Sequence, residues 1–138
     1  MKPKVLFLCT ENSCRSQMAE GLLRRMAGDE FDVFSAGAVP TKLNPAAVEA
    51  MREAGIDISA QYSKPVTQFV GESFRYAIRV CDQARETCPV IPGAIQYLDW
   101  SFEDPAKAEG TPAERMAVFR RVRDDIRGHI LDLLARQS

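Results

Sequence analysis

Val5–Arg24 reads VLFLCTENSCRSQMAEGLLR. Four apolar residues, Val5 to Leu8, run straight into Cys9, and a short polar stretch carries Asn12, Ser13, Cys14, Arg15 and Ser16. Met18, Leu22, Leu23 and Met26 then recur at helical spacing. The order predicts a strand, a tight loop and a helix N-terminus. Such a loop turns backbone N–H groups inward, and the helix dipole adds partial positive charge at the same place. A tetrahedral oxyanion is expected there, held by the loop Thr10, Glu11, Asn12, Ser13 and Cys14, with the Arg15 guanidinium gripping two of its oxygens. The same field favours Cys9 as a thiolate, the reactive form. The stretch reads as an oxyanion cradle with a built-in nucleophile; the plainer alternative is a buried cysteine ending a strand beside a solvated arginine.

Working outward, the first unit is a strand at about 3–8, a loop at 9–15 and a helix to about 27, with Gly28 where a C-cap glycine belongs. Phe31–Ser35 alternates as a second strand, and Asn44-Pro45 starts a second helix whose stripe is Ala47, Val48, Met51 and Ala54. A short helix is expected around Thr67–Glu72. Tyr76–Val80 reads as a third strand running into Cys81, and Ala94–Leu98 as a fourth. A last helix from about Pro112 to Ala135 carries the stripe Phe119, Val122, Ile126, Ile130, Leu133 and Leu134. Strands alternating with helices predict an α/β fold: a three-layer, open, four-stranded parallel sheet with right-handed crossovers and helices on both faces. Ligands bind beyond the carboxyl ends of such strands. Cys9, Cys81 and Asp104 all fall there.

The 138 residues, 46% hydrophobic and 27% charged, fit one globular domain spanning 1–138. A net charge of −1 argues against nucleic acid or an anionic membrane as a partner held by bulk charge. Lys2 and Lys4 precede the apolar run, but Val5–Leu8 is far too short for a signal-peptide core or a membrane span. A cytoplasmic protein is expected, in which four cysteines serve as thiols, ligands or catalysts rather than as a disulfide framework. No C-x2-C pair exists and the single histidine, His129, lies in the last helix, so no metal site is expected.

C-T-E-N-S-C-R-S, Cys9 to Ser16, is C-x5-R-S between a strand and a helix. It resembles the phosphate loop of the low-molecular-weight tyrosine phosphatases and of the arsenate reductases built on the same phosphotyrosine phosphatase I-like (flavodoxin-like) architecture. The resemblance implies that Cys9 attacks the oxyanion, Arg15 holds its oxygens as charge develops, and Ser16 donates to the Cys9 sulfur. Asn12 is expected to hold the loop backbone, since asparagine tolerates left-handed conformations; Cys14 reads as a packed bystander. Asp104-Pro105 matches the family's general-acid motif, placed to protonate the leaving oxygen. In phosphatases of the group aromatic residues follow that pair and grip a tyrosine ring; here Ala106, Lys107 and Ala108 follow.

Cys81-Asp-Gln-Ala-Arg-Glu-Thr-Cys88-Pro89 decides between the branches. It resembles the redox segment of the thioredoxin-coupled arsenate reductases, whose mechanism it implies: Cys81 attacks a Cys9–arsenate adduct, Cys88 attacks Cys81, and thioredoxin reduces the resulting Cys81–Cys88 disulfide. A helix over 81–88 would hold the two Cα atoms about 10 Å apart, whereas a disulfide needs them within about 7 Å. The segment is therefore expected to loop out during turnover. Some thioredoxin-coupled members that this chain resembles around Asn12, Glu20 and Ser35 bind a potassium ion there, with further ligands from the segment near position 63. Here Lys64 stands where an acidic ligand is expected, which suggests an ammonium paired with Glu20 in the ion's place.

The sequence thus reads as a thioredoxin-coupled arsenate reductase of the low-molecular-weight phosphatase-like family, expected to be monomeric. It would bind arsenate, or phosphate or sulfate as analogues, hold no bound cofactor, and use thioredoxin as external reductant. The alternatives are a phosphotyrosine phosphatase working through a cysteinyl-phosphate, and a non-catalytic oxyanion-binding or redox-sensing module. The general acid argues against the last, since binding alone needs none.

Overall fold

A computed structural model describes residues 2–137. Strand β1 (Lys4–Cys9) is central, pairing in parallel with β2 (Asp32–Gly37) on one side and β3 (Phe74–Arg79) on the other. β4 (Ala94–Asp99) adds in parallel beyond β3, giving the order β2-β1-β3-β4. A parallel strand between two neighbours is buried on both faces, which is why β1 is a continuous apolar run. Val5, Phe7 and Cys9 point into one core and Leu6 and Leu8 into the other.

The first core lies under three α-helices, α1 (Arg15–Ala27), α2 (Pro45–Glu53) and α3 (Pro112–Gln137). It takes Met18, Leu22 and Leu23 from α1, Ala47, Ala50 and Met51 from α2, and Phe119, Val122, Ile126, Ile130 and Leu133 from α3. The expected stripe of the last helix is thus its buried face, with Leu134 half-buried at its margin. The opposite face has far thinner cover. A single 3-10 turn at Val66–Phe69, in place of the expected 67–72 helix, brings Phe69 against Phe34 and Phe74 at ring-centroid distances of 5.6 and 6.1 Å. Thr67 and Gln68 are exposed, so this stretch has no apolar stripe that could hold a longer helix on the sheet.

Local chemistry sets the element ends. Asn44 caps α2, its Oδ1 accepting from the Ala46 amide at 2.8 Å with Pro45 at the first helical position. Gly28 does cap α1, but in the right-handed region at φ −66° rather than the left-handed one. What glycine supplies there is room, since a Cβ would stand 2.3 Å from the Arg24 carbonyl oxygen. The carboxyl ends of all four strands point to one rim, where Cys9 ends β1, Gly37 ends β2, Cys81 follows β3 and the 100–104 loop follows β4. Among the described residues no helix is long and apolar enough to cross a membrane.

Candidate active site

Cys9 and Arg15 are both buried, 2% and 3% exposed, at opposite ends of the loop between β1 and α1. The loop closes because Asn12 adopts φ +53°, the left-handed region an asparagine enters more readily than most residues. Its side chain, fully buried, then acts as a strut. Oδ1 accepts from the Lys64 amide at 2.9 Å and from Gln17 Nε2 at 3.1 Å, which fixes Nδ2 as the donor on the other side. Nδ2 donates to Ser16 Oγ at 2.6 Å and to Ser35 Oγ at 3.0 Å, and the Ser35 hydroxyl donates in turn to Glu20 Oε1 at 2.5 Å. With its oxygen already accepting, Ser16 has its hydroxyl proton left for the Cys9 sulfur 2.8 Å away. The Asn12 amide donates to the same sulfur at 3.2 Å. Two donors therefore converge on the Cys9 sulfur.

The rest of the loop is fastened from outside. The Glu11 carbonyl accepts from Ser63 Oγ at 2.8 Å, the Thr10 carbonyl from the Val39 amide at 2.8 Å, and the Ser13 carbonyl from the Asn44 amide at 3.0 Å. Gly37 lies directly beneath: a Cβ there would meet Asn12 N and Thr10 O at 2.8 Å each. Cys14 is buried within the loop. Burial, opposed by a contact with Ser13 and reinforced by the nearby Asp104 and Cys9, pushes its thiol up to about 12. It stays protonated and unreactive.

The structure brings Asp104 to the same rim. Its Oδ1 caps the 3-10 turn Pro105–Lys107 by accepting from the Ala106 amide at 3.0 Å, while Oδ2 lies 3.7 Å from Arg15 Nη2. Arg15 Nη1 also donates to the Phe102 carbonyl at 3.1 Å. Burial works against the guanidinium charge, but Glu86, Cys9 and Asp104 together raise its pKa above the ordinary arginine value. Arg15 Nε, buried, has no hydrogen-bond partner among the described residues.

Cys81 and Cys88 are joined in a disulfide with their Cα atoms 6.0 Å apart. The 82–87 stretch is accordingly no helix but a loop with one turn, held by the Asp82 carbonyl accepting from the Arg85 and Glu86 amides at 3.0 and 2.9 Å. This is the looped-out arrangement expected of an oxidised pair. Both sulfurs lie within 3.9 Å of the Leu8 carbonyl oxygen, on the peptide that leads into Cys9.

Sequence reasoning missed one residue at this rim. Glu86 forms a two-pronged pair with Arg15, Oε2 to Nη1 at 2.5 Å and Oε1 to Nη2 at 2.8 Å, and Oε1 also accepts from Thr10 Oγ1 at 2.8 Å. The only signal available was an acidic residue inside the cysteine-bounded segment; which of its two acids meets Arg15 depends on the loop's path. Burial raises the Glu86 carboxyl pKa, but the hydrogen bonds from Arg15, Thr10 and the Asp82 amide outweigh it and hold the group down at about 2. Gln17 and Gln61, also missed, lock the loop to the 61–64 segment: Gln17 Nε2 donates to the Tyr62 carbonyl at 2.9 Å and Gln61 Nε2 to the Gln17 carbonyl at 3.0 Å.

Lys64 is buried behind the loop. Its Nζ donates to the Tyr62 carbonyl at 2.8 Å, lies 3.6 Å from Glu20 Oε1 and sits 4.6 Å from the Tyr62 ring centre. Burial lowers its pKa, and Glu20 partly restores it. Glu20 additionally pairs with Arg24 at 2.7 Å. His129 is exposed on α3 and rests against Phe102 and Trp100, with ring centroids 5.0 and 5.3 Å away.

Comparison with known proteins gives a consistent context. The profile of the family described as low molecular weight phosphotyrosine protein phosphatase matches residues 4–137. An arsenate reductase of Halalkalibacterium halodurans is 50% identical over 125 residues, 91% of this chain and 90% of its own. Among solved structures, an arsenate reductase in its oxidised state superposes with a TM-score of 0.83 at 33% identity over the whole of both chains. A thioredoxin-dependent arsenate reductase of Corynebacterium glutamicum gives 0.74 at 32% identity, covering 98% of this chain and 61% of that one.

Proposed function

We propose that this chain, which belongs to the low molecular weight phosphotyrosine protein phosphatase family, uses the family's oxyanion cradle to reduce arsenate to arsenite. The observation that carries the reading is the Cys81–Cys88 disulfide on the same strand-end rim as Cys9. Hydrolysis of a phosphate ester has no use for a second and third thiol; reduction of an oxyanion needs a two-electron donor, which a dithiol supplies. The similarity to arsenate reductases, one of them thioredoxin-dependent, supports the same choice.

In the reduced protein the Cys9 thiolate attacks arsenic, and a hydroxide leaves as water once Asp104 delivers its proton, so a Cys9 S–As(V) bond replaces an As–O bond. The Arg15 fork and the amides of residues 10–14 hold the remaining oxygens as charge develops. Arg15 Nε, which has no partner among the described residues, is placed to donate to one of them. Cys81 then attacks the Cys9 sulfur. The electron pair of the S–As bond passes to arsenic, which leaves as arsenite, and a Cys9–Cys81 disulfide forms. Cys88 attacks Cys81, Cys9 leaves as a thiolate, and the Cys81–Cys88 disulfide remains. Ser16, with its proton directed at the Cys9 sulfur, stabilises that thiolate both as the group that attacks arsenic and as the group that leaves Cys81. Thioredoxin in a reducing cytoplasm is the reductant this reading assigns, with the chain acting as a monomer.

The residues directly after Asp104-Pro105 are Ala106, Lys107 and Ala108, none of them aromatic, and Ala106 and Lys107 are exposed. Phosphate-ester hydrolysis should accordingly persist only as a weak side activity, since it uses the same nucleophile, cradle and acid. Arsenate-dependent NADPH oxidation, coupled through thioredoxin and its reductase, tests the proposal. Cys81→Ser and Cys88→Ser should each abolish sustained turnover while hydrolysis of p-nitrophenyl phosphate is retained. Full arsenate turnover in either variant would contradict the relay.

A further inference from the structure

The Glu86 side chain is only 8% exposed, and Arg15 only 4%. Three of the Glu86 hydrogen bonds come from the cradle itself: from both terminal nitrogens of Arg15 and from the Thr10 hydroxyl. A carboxylate seated on a guanidinium fork presents two coplanar oxygens to two parallel N–H groups, the same geometry a phosphate or arsenate edge offers. Two of the donors that an incoming oxyanion needs, the terminal nitrogens of Arg15, are thus already taken by a group of the protein. Glu86 reaches them because the disulfide fixes the path of the chain. The loop leaves β3 at Cys81 and returns to the sheet at Cys88, whose sulfur stands beside the Leu8 carbonyl, so the residue two positions before Cys88 passes over the loop that begins at Cys9. A single turn from Asp82, whose amide donates to Glu86 Oε2 at 3.1 Å, aims the side chain.

We propose that Glu86 is a redox-positioned internal anion: in the disulfide form its carboxylate fills the Arg15 fork and closes the cradle to inorganic oxyanions, and reduction of Cys81–Cys88 withdraws it. The proposal rests on the cradle reading above and adds to it an order of events. Product-state protein, which has no thiol pair to complete another turnover, does not trap a second oxyanion; the dithiol does. Linkage makes the effect reciprocal, because an oxyanion that binds the dithiol better than the disulfide must pull the redox equilibrium toward the dithiol by the same factor. No oxidant or reductant beyond those of the relay is required, since the switch follows the state of one disulfide.

The test is calorimetric titration of inorganic phosphate into wild type and Glu86→Gln, each as dithiol and as disulfide. Disulfide-form Glu86→Gln should bind phosphate about tenfold or more tighter than disulfide-form wild type, within the usual range of site–site coupling, while the two dithiol forms bind alike. Equal, weak binding by both disulfide forms would overturn the proposal alone. Failure of dithiol wild type to bind phosphate would overturn the cradle reading beneath it. Redox equilibration in glutathione buffers gives a second readout independent of the calorimetry. Saturating phosphate should shift wild type toward the dithiol and leave Glu86→Gln unmoved, and an unshifted wild type would overturn the proposal. Glu86→Ala repeats both measurements without the hydrogen-bonding capacity of glutamine.

Discussion

Asn12 sets the direction of every hydrogen bond around the nucleophile. Two donors on its Oδ1 oblige its amide nitrogen to donate to Ser16, and that leaves the serine proton for sulfur. Asparagine at this place was legible in the sequence as a loop-former tolerant of positive φ, and resemblance grouped it with Ser16, Glu20 and Ser35. The hydrogen-bond directions among them were not legible, because they depend on how α1 and β2 meet the loop. Glu86 belongs to the same class, being 71 positions from Arg15. It carries a pH signature. Its carboxyl, held down at about 2 against an ordinary 4.5, makes the folded disulfide form bind fewer protons than the unfolded chain over that interval. The stability it contributes is complete above about pH 4.5 and is lost as pH falls toward about 2. Urea midpoints of the disulfide form should therefore drop more steeply in wild type than in Glu86→Gln between about pH 5 and pH 2.5; parallel declines would contradict the pairing.

At the scale of elements, the strand-loop-helix unit is over-determined. An apolar run buried on both faces becomes the central strand, and helical spacing resumes at Arg15. These features are local, so the sequence displays them directly, as it does the Asn44-Pro45 cap and the stripe of α3. Two element-level features are not local. The thin cover over Leu6 and Leu8 depends on three phenylalanines from separate segments meeting in space. The 82–87 loop has polar, helix-compatible residues, and the disulfide decides its conformation. Gly37 joins β2 to the cradle by close approach. Gly37→Ala should cost about 1–3 kcal/mol of stability through overpacking and lower kcat/KM by about a hundredfold through displacement of the loop. Urea unfolding and steady-state kinetics on the same preparation check both; a variant with wild-type kcat/KM would show that the loop yields without consequence.

At the scale of the whole molecule, the sheet gathers three chemistries at one rim: a nucleophile from the end of β1, a thiol pair following β3 and an acid from the loop after β4. The first core, under three α-helices, holds β1 and α1 rigidly behind the cradle, and Lys64, Glu20, Gln17 and Gln61 brace it from the side. The thiol pair instead sits on a loop whose anchors are the disulfide itself and the Glu86–Arg15 pair, the arrangement suited to a segment that changes conformation while the cradle stays fixed. The loop from Cys9 to Ser16 alone would serve a phosphatase or a reductase equally; the segment from Cys81 to Cys88 sets the choice. The most direct measurement of that choice is a single turnover: fully reduced protein mixed with excess arsenate in the absence of any external thiol. The account predicts one arsenite released per protein chain and, by peptide mapping, a Cys81–Cys88 disulfide with Cys9 free. No arsenite, or arsenite formed with Cys81 and Cys88 still reduced, would contradict it.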